Sequence, residues 1–239
     1  MQSFPDLEAS DQQVLTESSE FRFACHDSLP CFTQCCRDVN IYLTPYDVLR
    51  LRRALKMGST EFLQKHTRHF LARTVPIPVV QLAMDEESLA CKLVTPNGCS
   101  VYGDRPWACR MFPVDLGRES GEYCFIAGKE RCKGLGESKR WTVGEWMDDQ
   151  GARGYMEMEN HFQAIVPPGY APAITMGPGL GKLLFLAYDL DRFVTLLNDK
   201  AFRACYEVDE EAVKRAAEDD EQMLLLAYQY IRSQLDELQ

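Results

Sequence analysis

Apolar and polar positions alternate along Val39-Asn40-Ile41-Tyr42-Leu43, which predicts a short strand. Thr44-Pro45-Tyr46-Asp47 then opens a helix: Thr44 can cap the free amides, Pro45 suits the first helical position, and Asp47 lies where the helix dipole favours an anion. Val48, Leu51, Ala54 and Leu55 form its buried stripe, and Gly58 is the expected stop. A second helix is expected from Ser59 or Thr60, turning Phe62, Leu63, His66, Phe70 and Leu71 inward. Pro76 and Pro78 end it, and residues 79–84 and 89–94 read as strands. Thr95-Pro96-Asn97-Gly98 is a turn, because Pro presets φ and Asn-Gly tolerates positive φ; a third strand is expected at 100–102. Residues 114–116 and 123–127 add strands. Thr142-Val143-Gly144-Glu145 has the spacing of a capping box, with Trp141 and Trp146 packing beside it. A Pro/Gly-rich linker covers 166–178, followed by helical patterns over 180–198 and 209–237 and a short helical turn near 201–206. The last pattern carries Val213, Ala216, Leu224, Ala227, Tyr228, Ile231 and Leu235 among acidic residues, as in a helix that covers the first domain or pairs with a partner.

These segments predict an α+β fold: a small antiparallel sheet and metal-binding loops covered by helices, with a mainly α-helical C-terminal part. The expected organisation is a flexible arm over 1–20, a cysteine-rich domain over 21–165 and a helical region over 179–239. With 239 residues and 46% hydrophobic content, the chain can bury a substantial core. A formal charge of -10 argues against nucleic-acid binding. The basic strip of Arg50, Arg52, Arg53, Lys56, Lys65, Arg68 and Arg73 reads as the solvated face of two helices. The N-terminus lacks a basic, then apolar, signal-peptide pattern, and no apolar run approaches the ~20 residues of a membrane span. The expectation is a cytoplasmic protein. There thiols stay reduced, so ten cysteines read as metal ligands rather than disulfides.

Eight cysteines sit among turn residues: Cys25, Cys31, Cys35, Cys36, Cys91, Cys99, Cys109 and Cys132. Zinc and iron–sulfur sites each take about four such ligands, so eight suffice for two centres or one larger one. Adjacent side chains in extended backbone point to opposite sides, so the thiols of Cys35 and Cys36 are not expected to share one small ion: either they serve two neighbouring centres, or one ligates and the other is spare. The spacing departs from the paired Cys-x-x-Cys knuckles of zinc ribbons, which favours an iron–sulfur centre (a 4Fe–4S cluster) over zinc, the alternative. His26 is a substitute ligand. His66 and His69 read as ordinary core or surface histidines, Cys124 has no assigned role, and Cys205 reads as a buried free thiol. Arg105 and Arg110 bracket Cys109; they either offset thiolate charge or pair with Asp104 and Asp115.

Phe23-Ala24-Cys25 through Cys35-Cys36, Leu43-Thr44-Pro45-Tyr46-Asp47, and Cys99-Ser100-Val101-Tyr102 with Arg105-Pro106, Cys109-Arg110 and Pro113 resemble the YkgJ-type cysteine-cluster family. That zinc- or iron-chelating domain is shared with flagellin lysine N-methylase. Cys132-Lys133-Gly134-Leu135-Gly136 with Trp141-Thr142 and Glu145 resembles the closing motif of one of its branches. Five and three residues separate Cys25, Cys31 and Cys35, where the family commonly has two and two. The resemblance covers about residues 20–160 and implies metal or iron–sulfur binding in a bacterial cytosolic protein. The function expected first is an iron–sulfur protein with a redox role. Its rivals are a cluster-dependent protein-modifying enzyme, of methyltransferase or oxidoreductase type, and a structural zinc module that binds a protein partner. No Gly-rich nucleotide loop is present, no catalytic residue can be named, and the sequence leaves partner and substrate unidentified.

Overall fold

The computed structural model describes residues 14–71, 78–165, 177–206 and 209–237. They build the α+β fold expected: short antiparallel strand pairs and loops, flanked by helices, with a helical C-terminal part. Strand β1 (Glu20–Arg22) pairs with β8 (Arg140–Thr142), β2 (Thr67–Leu71) with β3 (Pro78–Leu82), β4 (Val94–Thr95) with β5 (Gly98–Cys99), and β6 (Val114–Leu116) with β7 (Tyr123–Phe125). Residues 41–43 run beside β3, with Leu43 N–H donating to Val80 O at 2.8 Å and Leu82 N–H to Ile41 O at 2.9 Å. Val14 is the first described residue, and Leu15 is buried, exchanging two 2.8 Å hydrogen bonds with Tyr123. The end of the expected arm is therefore pinned to β7.

Helix α1 (Pro45–Ala54) begins as its sequence dictates. Thr44 Oγ1 accepts from Asp47 N–H at 3.1 Å, and Asp47 Oδ2 accepts from Thr44 N–H at 2.8 Å. Its end differs from expectation: Lys56 takes the left-handed position at φ 54°, and Gly58 is instead the N-cap of α2 (Ser59–His66). Helix α2 also stops earlier than its pattern suggests. From Thr67 the chain is β2, held in five-residue register from Thr67↔Leu82 to Leu71↔Pro78, which leaves Phe70 exposed. Of the expected 89–94 strand only Val94, which opens β4, is in a strand; Ala90 and Cys91 form isolated bridges to Arg37 and Met84, and 100–102 is a turn leading into a 3-10 turn over Tyr102–Asp104. Helix α3 (Trp107–Met111) lies within the cysteine-rich part, and α4 (Val143–Asp149) and α5 (Arg153–Gln163) follow it. The Thr142/Glu145 capping box that opens α4 forms as expected, and Trp141 meets Trp146 edge-on at 5.3 Å.

Each of the two C-terminal patterns is two helices. The first gives α6 (Gly177–Phe185) and α7 (Leu190–Leu197), and the second α9 (Glu210–Glu218) and α10 (Asp220–Glu237), with α8 (Lys200–Cys205) at the expected helical turn. Asp189 caps α7, and Asp219 accepts from Glu221 N–H at 2.8 Å to start α10. Most of the linker, 166–176, lies outside the described residues. None of the helices among the described residues is long and apolar enough to cross a membrane.

Three apolar clusters hold the chain together, and α1 belongs to two of them. Its Tyr46 and Leu49 pack with Leu184, Phe193, Leu224 and Ile231 of the C-terminal helices. Its Val48 and Leu51 face Phe62, Val80, Leu93 and Val101, a core that Cys91 and Cys99 border. The third cluster joins Phe21, Phe23, Val114, Trp146 and Met147, with Cys132 inside it. The N-termini of α2 and α7 cap each other: Thr60 N–H donates to Asp191 Oδ2 at 3.2 Å, and Asp191 N–H to Ser59 Oγ at 2.8 Å. The basic strip is largely neutralised, Arg50 by Asp104, Arg52 by Asp220 and Lys65 by Glu61.

Candidate metal centre

Pairing of β1 with β8 carries the first cysteine to the last one. Beyond β1, Phe23 N–H donates to Lys139 O at 2.9 Å and Ala24 N–H to Gly134 O at 3.2 Å, which lays Cys25 along the 3-10 turn that follows Cys132. Only glycine fits that crossing. A Cβ at Gly134 would stand 2.5 Å from Ala24 O and 2.8 Å from Phe23 Cε2. On the same turn, Lys133 N–H points at Cys31 Sγ, 3.3 Å away.

The Cys31–Cys36 segment is wound rather than extended. Gln34 N–H donates to Cys31 O and Cys36 N–H to Thr33 O, giving a 3-10 turn over Gln34–Cys36 with Thr33 at φ 63°. Winding removes the extended backbone on which the expectation of opposed side chains rested, and the adjacent thiols of Cys35 and Cys36 shift each other's pKa in opposite directions. Beyond the turn, Cys91 N–H donates to Cys36 O at 2.8 Å and Asp38 N–H to Leu89 O at 2.8 Å, so Cys36 is tied to Cys91.

Cys91, Cys99 and Cys109 come from a hairpin and the helix after it. Val94 pairs with Cys99, and Gly98 turns the chain at φ 107°. Helix α3, which carries Cys109, starts against α1: the Asp47 carboxylate that caps α1 also accepts Trp107 N–H at 2.8 Å. Burial raises the Asp47 pKa above its usual range, while these amides and Arg110 oppose that rise.

All ten cysteines are free. Eight fall into two groups of neighbours, Cys25, Cys31 and Cys132 on one side and Cys91, Cys99 and Cys109 on the other, linked through the Cys35–Cys36 pair. Burial, with the neighbouring thiols of Cys35, Cys132 and Cys31, pushes Cys25 up to about 11. Burial likewise raises Cys132, against two opposing backbone amides and with Cys31 and Cys35 as neighbours. On the other side Cys109 is raised well above the ordinary thiol range, first by burial and then by Cys91, Asp47, Cys99 and Cys35. Cys91 and Cys99 are raised by burial too. Cys35 is the exception, lowered to about 7 by the hydrogen bond from the Cys36 thiol, with Arg131 adding to it, while Cys36 as the donor is raised. Among the described residues no three His, Cys, Asp or Glu side chains close on one point as a single ion requires. The donor set is nonetheless all sulfur, the soft type that suits zinc or an iron–sulfur cluster.

The remaining candidates stand apart. His26 is engaged at the surface, Nδ1 2.8 Å from Ser28 Oγ and Nε2 3.7 Å from Glu137. His66 stacks on Phe62 and His69 lies against Phe185. Cys124 Sγ donates to Leu116 O at 3.5 Å, on the β6–β7 hairpin. Cys205 is exposed on α8, not buried as expected. Arg105 and Arg110 are buried rather than surface residues, and Asp104 pairs with Arg50 instead. Sequence reasoning missed Gly134, Gln150 and Tyr155. Gly134 stood in the closing motif beside Cys132, whereas nothing local marks the other two, which meet the arginines only through the fold.

Residues 24–136 match one family model, CxxCxxCC, described as "Putative zinc- or iron-chelating domain". All eight grouped cysteines fall within the matched stretch. No curated protein and no solved structure matches the chain.

Proposed function

We propose, on the premise of the match between residues 24–136 and the CxxCxxCC model, that the chain holds an iron–sulfur centre with a redox role. Cys25, Cys31, Cys35 and Cys132 are the ligands on one side, and Cys36, Cys91, Cys99 and Cys109 those on the other. The observation that carries this reading is the set of eight free thiols that separate loops bring toward one another, an all-sulfur donor set. Zinc draws its four sulfurs in to bonds of about 2.3 Å. A cluster holds its cysteines farther apart, because iron and sulfide lie between them. When bound, it supplies one-electron chemistry.

The chain's own part is to place and tune the thiols. The backbone N–H of Lys133 donates to Cys31 Sγ, the kind of hydrogen bond that shifts a cluster's potential. Cys25 and Cys35 are exposed, so this side of the centre is where an electron partner or substrate would approach. A reducing, cytoplasmic setting keeps such thiols free.

The test is metal analysis of the full chain purified without air. The expected protein is brown, contains iron and acid-labile sulfide, and gives an electron paramagnetic resonance signal on reduction. A colourless protein with stoichiometric zinc overturns the cluster assignment.

A further inference from the structure

Arg105 and Arg110 are each only 7% exposed, and among the described residues neither forms an ion pair with a carboxylate. A guanidinium removed from water with neutral partners alone is strongly unfavourable unless an opposite charge lies near. The two differ in what surrounds them. Arg110 donates to the carbonyls of Arg105, Gln150 and Gly103 and to the Tyr155 hydroxyl, and its guanidinium lies 4.5 Å from the Tyr155 ring centroid. It also shares the field of the buried Asp47. Arg110 is thus saturated and has its anion.

Arg105 has neither. Its donors go to Tyr102 O and to the side-chain oxygen of Gln150, and its guanidinium lies 3.8 Å from the Tyr102 ring centroid. The groups near it that can become anions are the Tyr102 hydroxyl and the thiols of Cys109 and Cys99. A metal centre built on thiolates carries more negative ligand charge than the metal offsets, so loading it places the missing anion beside Arg105.

We propose that Arg105 is the counter-cation of the metal centre, held in the buried stretch between Cys99 and Cys109 by Tyr102 and by a Gln150 whose neutrality leaves the guanidinium without an anion. This rests on the metal-binding reading and adds which residue sets the charge that the centre tolerates. Gln150 becomes a positioning residue: it holds the cation without neutralising it.

The experiment titrates the reduced full chain with Co2+, followed by sulfur-to-cobalt charge-transfer absorption, in wild type, Arg105→Met, Arg105→Lys, Gln150→Glu and Asp149→Asn. Arg105→Met is expected to weaken Co2+ binding about tenfold or more, the usual scale for a residue supporting metal ligands. Arg105→Lys, which keeps the charge, recovers most of the affinity. Gln150→Glu retains every cysteine and arginine and gives Arg105 a carboxylate, with loss of the 2.7 Å bond from Gln150 Nε2 to Asp149 Oδ2; metal affinity falls. Asp149→Asn weakens that same bond without pairing Arg105 and keeps the wild-type affinity, which a purely structural role for Gln150 would not allow. Should Arg105→Met fail to fold, Gln150→Glu decides alone. Wild-type affinity in Gln150→Glu, or in a folded Arg105→Met, overturns the assignment. Where the wild type gives no charge-transfer band, the variants are compared instead by the iron and acid-labile sulfide they retain after purification without air: equal retention in all of them overturns the assignment, and a wild type without metal of either kind overturns the metal-binding reading.

Discussion

Glu159 sits in α5 with one carboxylate oxygen accepting from Gln163 Nε2 at 3.1 Å and the other buried without a partner. The Tyr228 hydroxyl is likewise buried and unpartnered. Burial raises the Glu159 pKa, with Asp47 adding to it. A carboxyl whose folded pKa lies above its unfolded one favours the protonated native state, so ionisation is a cost that grows as pH climbs from the ordinary carboxylate range through the raised value. Glu159→Gln should therefore stabilise the protein by about 1 kcal/mol at pH 8 and hardly at all near pH 4. Melting curves at the two pH values check this, and equal gains at both would refute the buried-charge account. Gly134 makes a second prediction at this scale. Gly134→Ala forces the crossing with Ala24 and Phe23 apart, costing roughly 1–3 kcal/mol. It should also reduce metal content with every cysteine intact, as metal-to-protein ratios would show. The eight ligand candidates were legible in the sequence because cysteines flanked by turn formers are rare and local. The contact between Cys35 and Cys36 was not, since it depends on a 3-10 turn that its residues do not announce.

Among the elements, α1 joins the hydrophobic cores to the metal centre. Its cap has two halves with separate consequences. Thr44→Ala removes a hydroxyl that accepts Asp47 N–H and donates to Asp47 Oδ2 but leaves Oδ1 on Trp107 N–H, and should cost about 1 kcal/mol with metal binding unchanged. Asp47→Asn also disturbs the acceptor for Trp107 N–H, so α3 loses its seat and Cys109 moves with it. The expected result is a comparable loss of stability together with lost metal, measured by denaturation and metal analysis. If both variants keep full metal content, Asp47 is no more than a cap. Both capping boxes were visible in advance because four adjacent residues define them. The switch from α2 to β2 was not, since Thr67 to Leu71 pair with a strand that begins beyond a proline-rich stretch. The end of α1 was misplaced for a related reason. Lys56 adopts the left-handed conformation that glycine would favour, leaving Gly58 free to begin the next helix.

At the scale of the molecule, the C-terminal helices share a core with α1 and α5. Leu184, Phe193, Leu224 and Ile231 cover Tyr46 and Leu49, and α2 and α7 cap each other's first turns. Deleting residues 179–239 would uncover that face of α1, so the shortened chain should aggregate and lose metal. Recovery of soluble, metal-loaded protein would mean that the cysteine-rich part stands alone. Amphipathic patterning predicted these helices, but which face met which depended on long-range packing that no short window contains. The β1–β8 pairing carries a further consequence, one of timing. Its partners lie at opposite ends of the cysteine-rich region, Phe21 opposite Trp141, and sequential synthesis makes the first long before the second. Cys25, Cys31 and Cys35 therefore emerge as bare thiols and wait for Cys132 before their group can close. During that interval they are exposed to oxidation and to wrong pairing, so the yield of correctly assembled protein should depend on how reducing its surroundings are while the chain is being made.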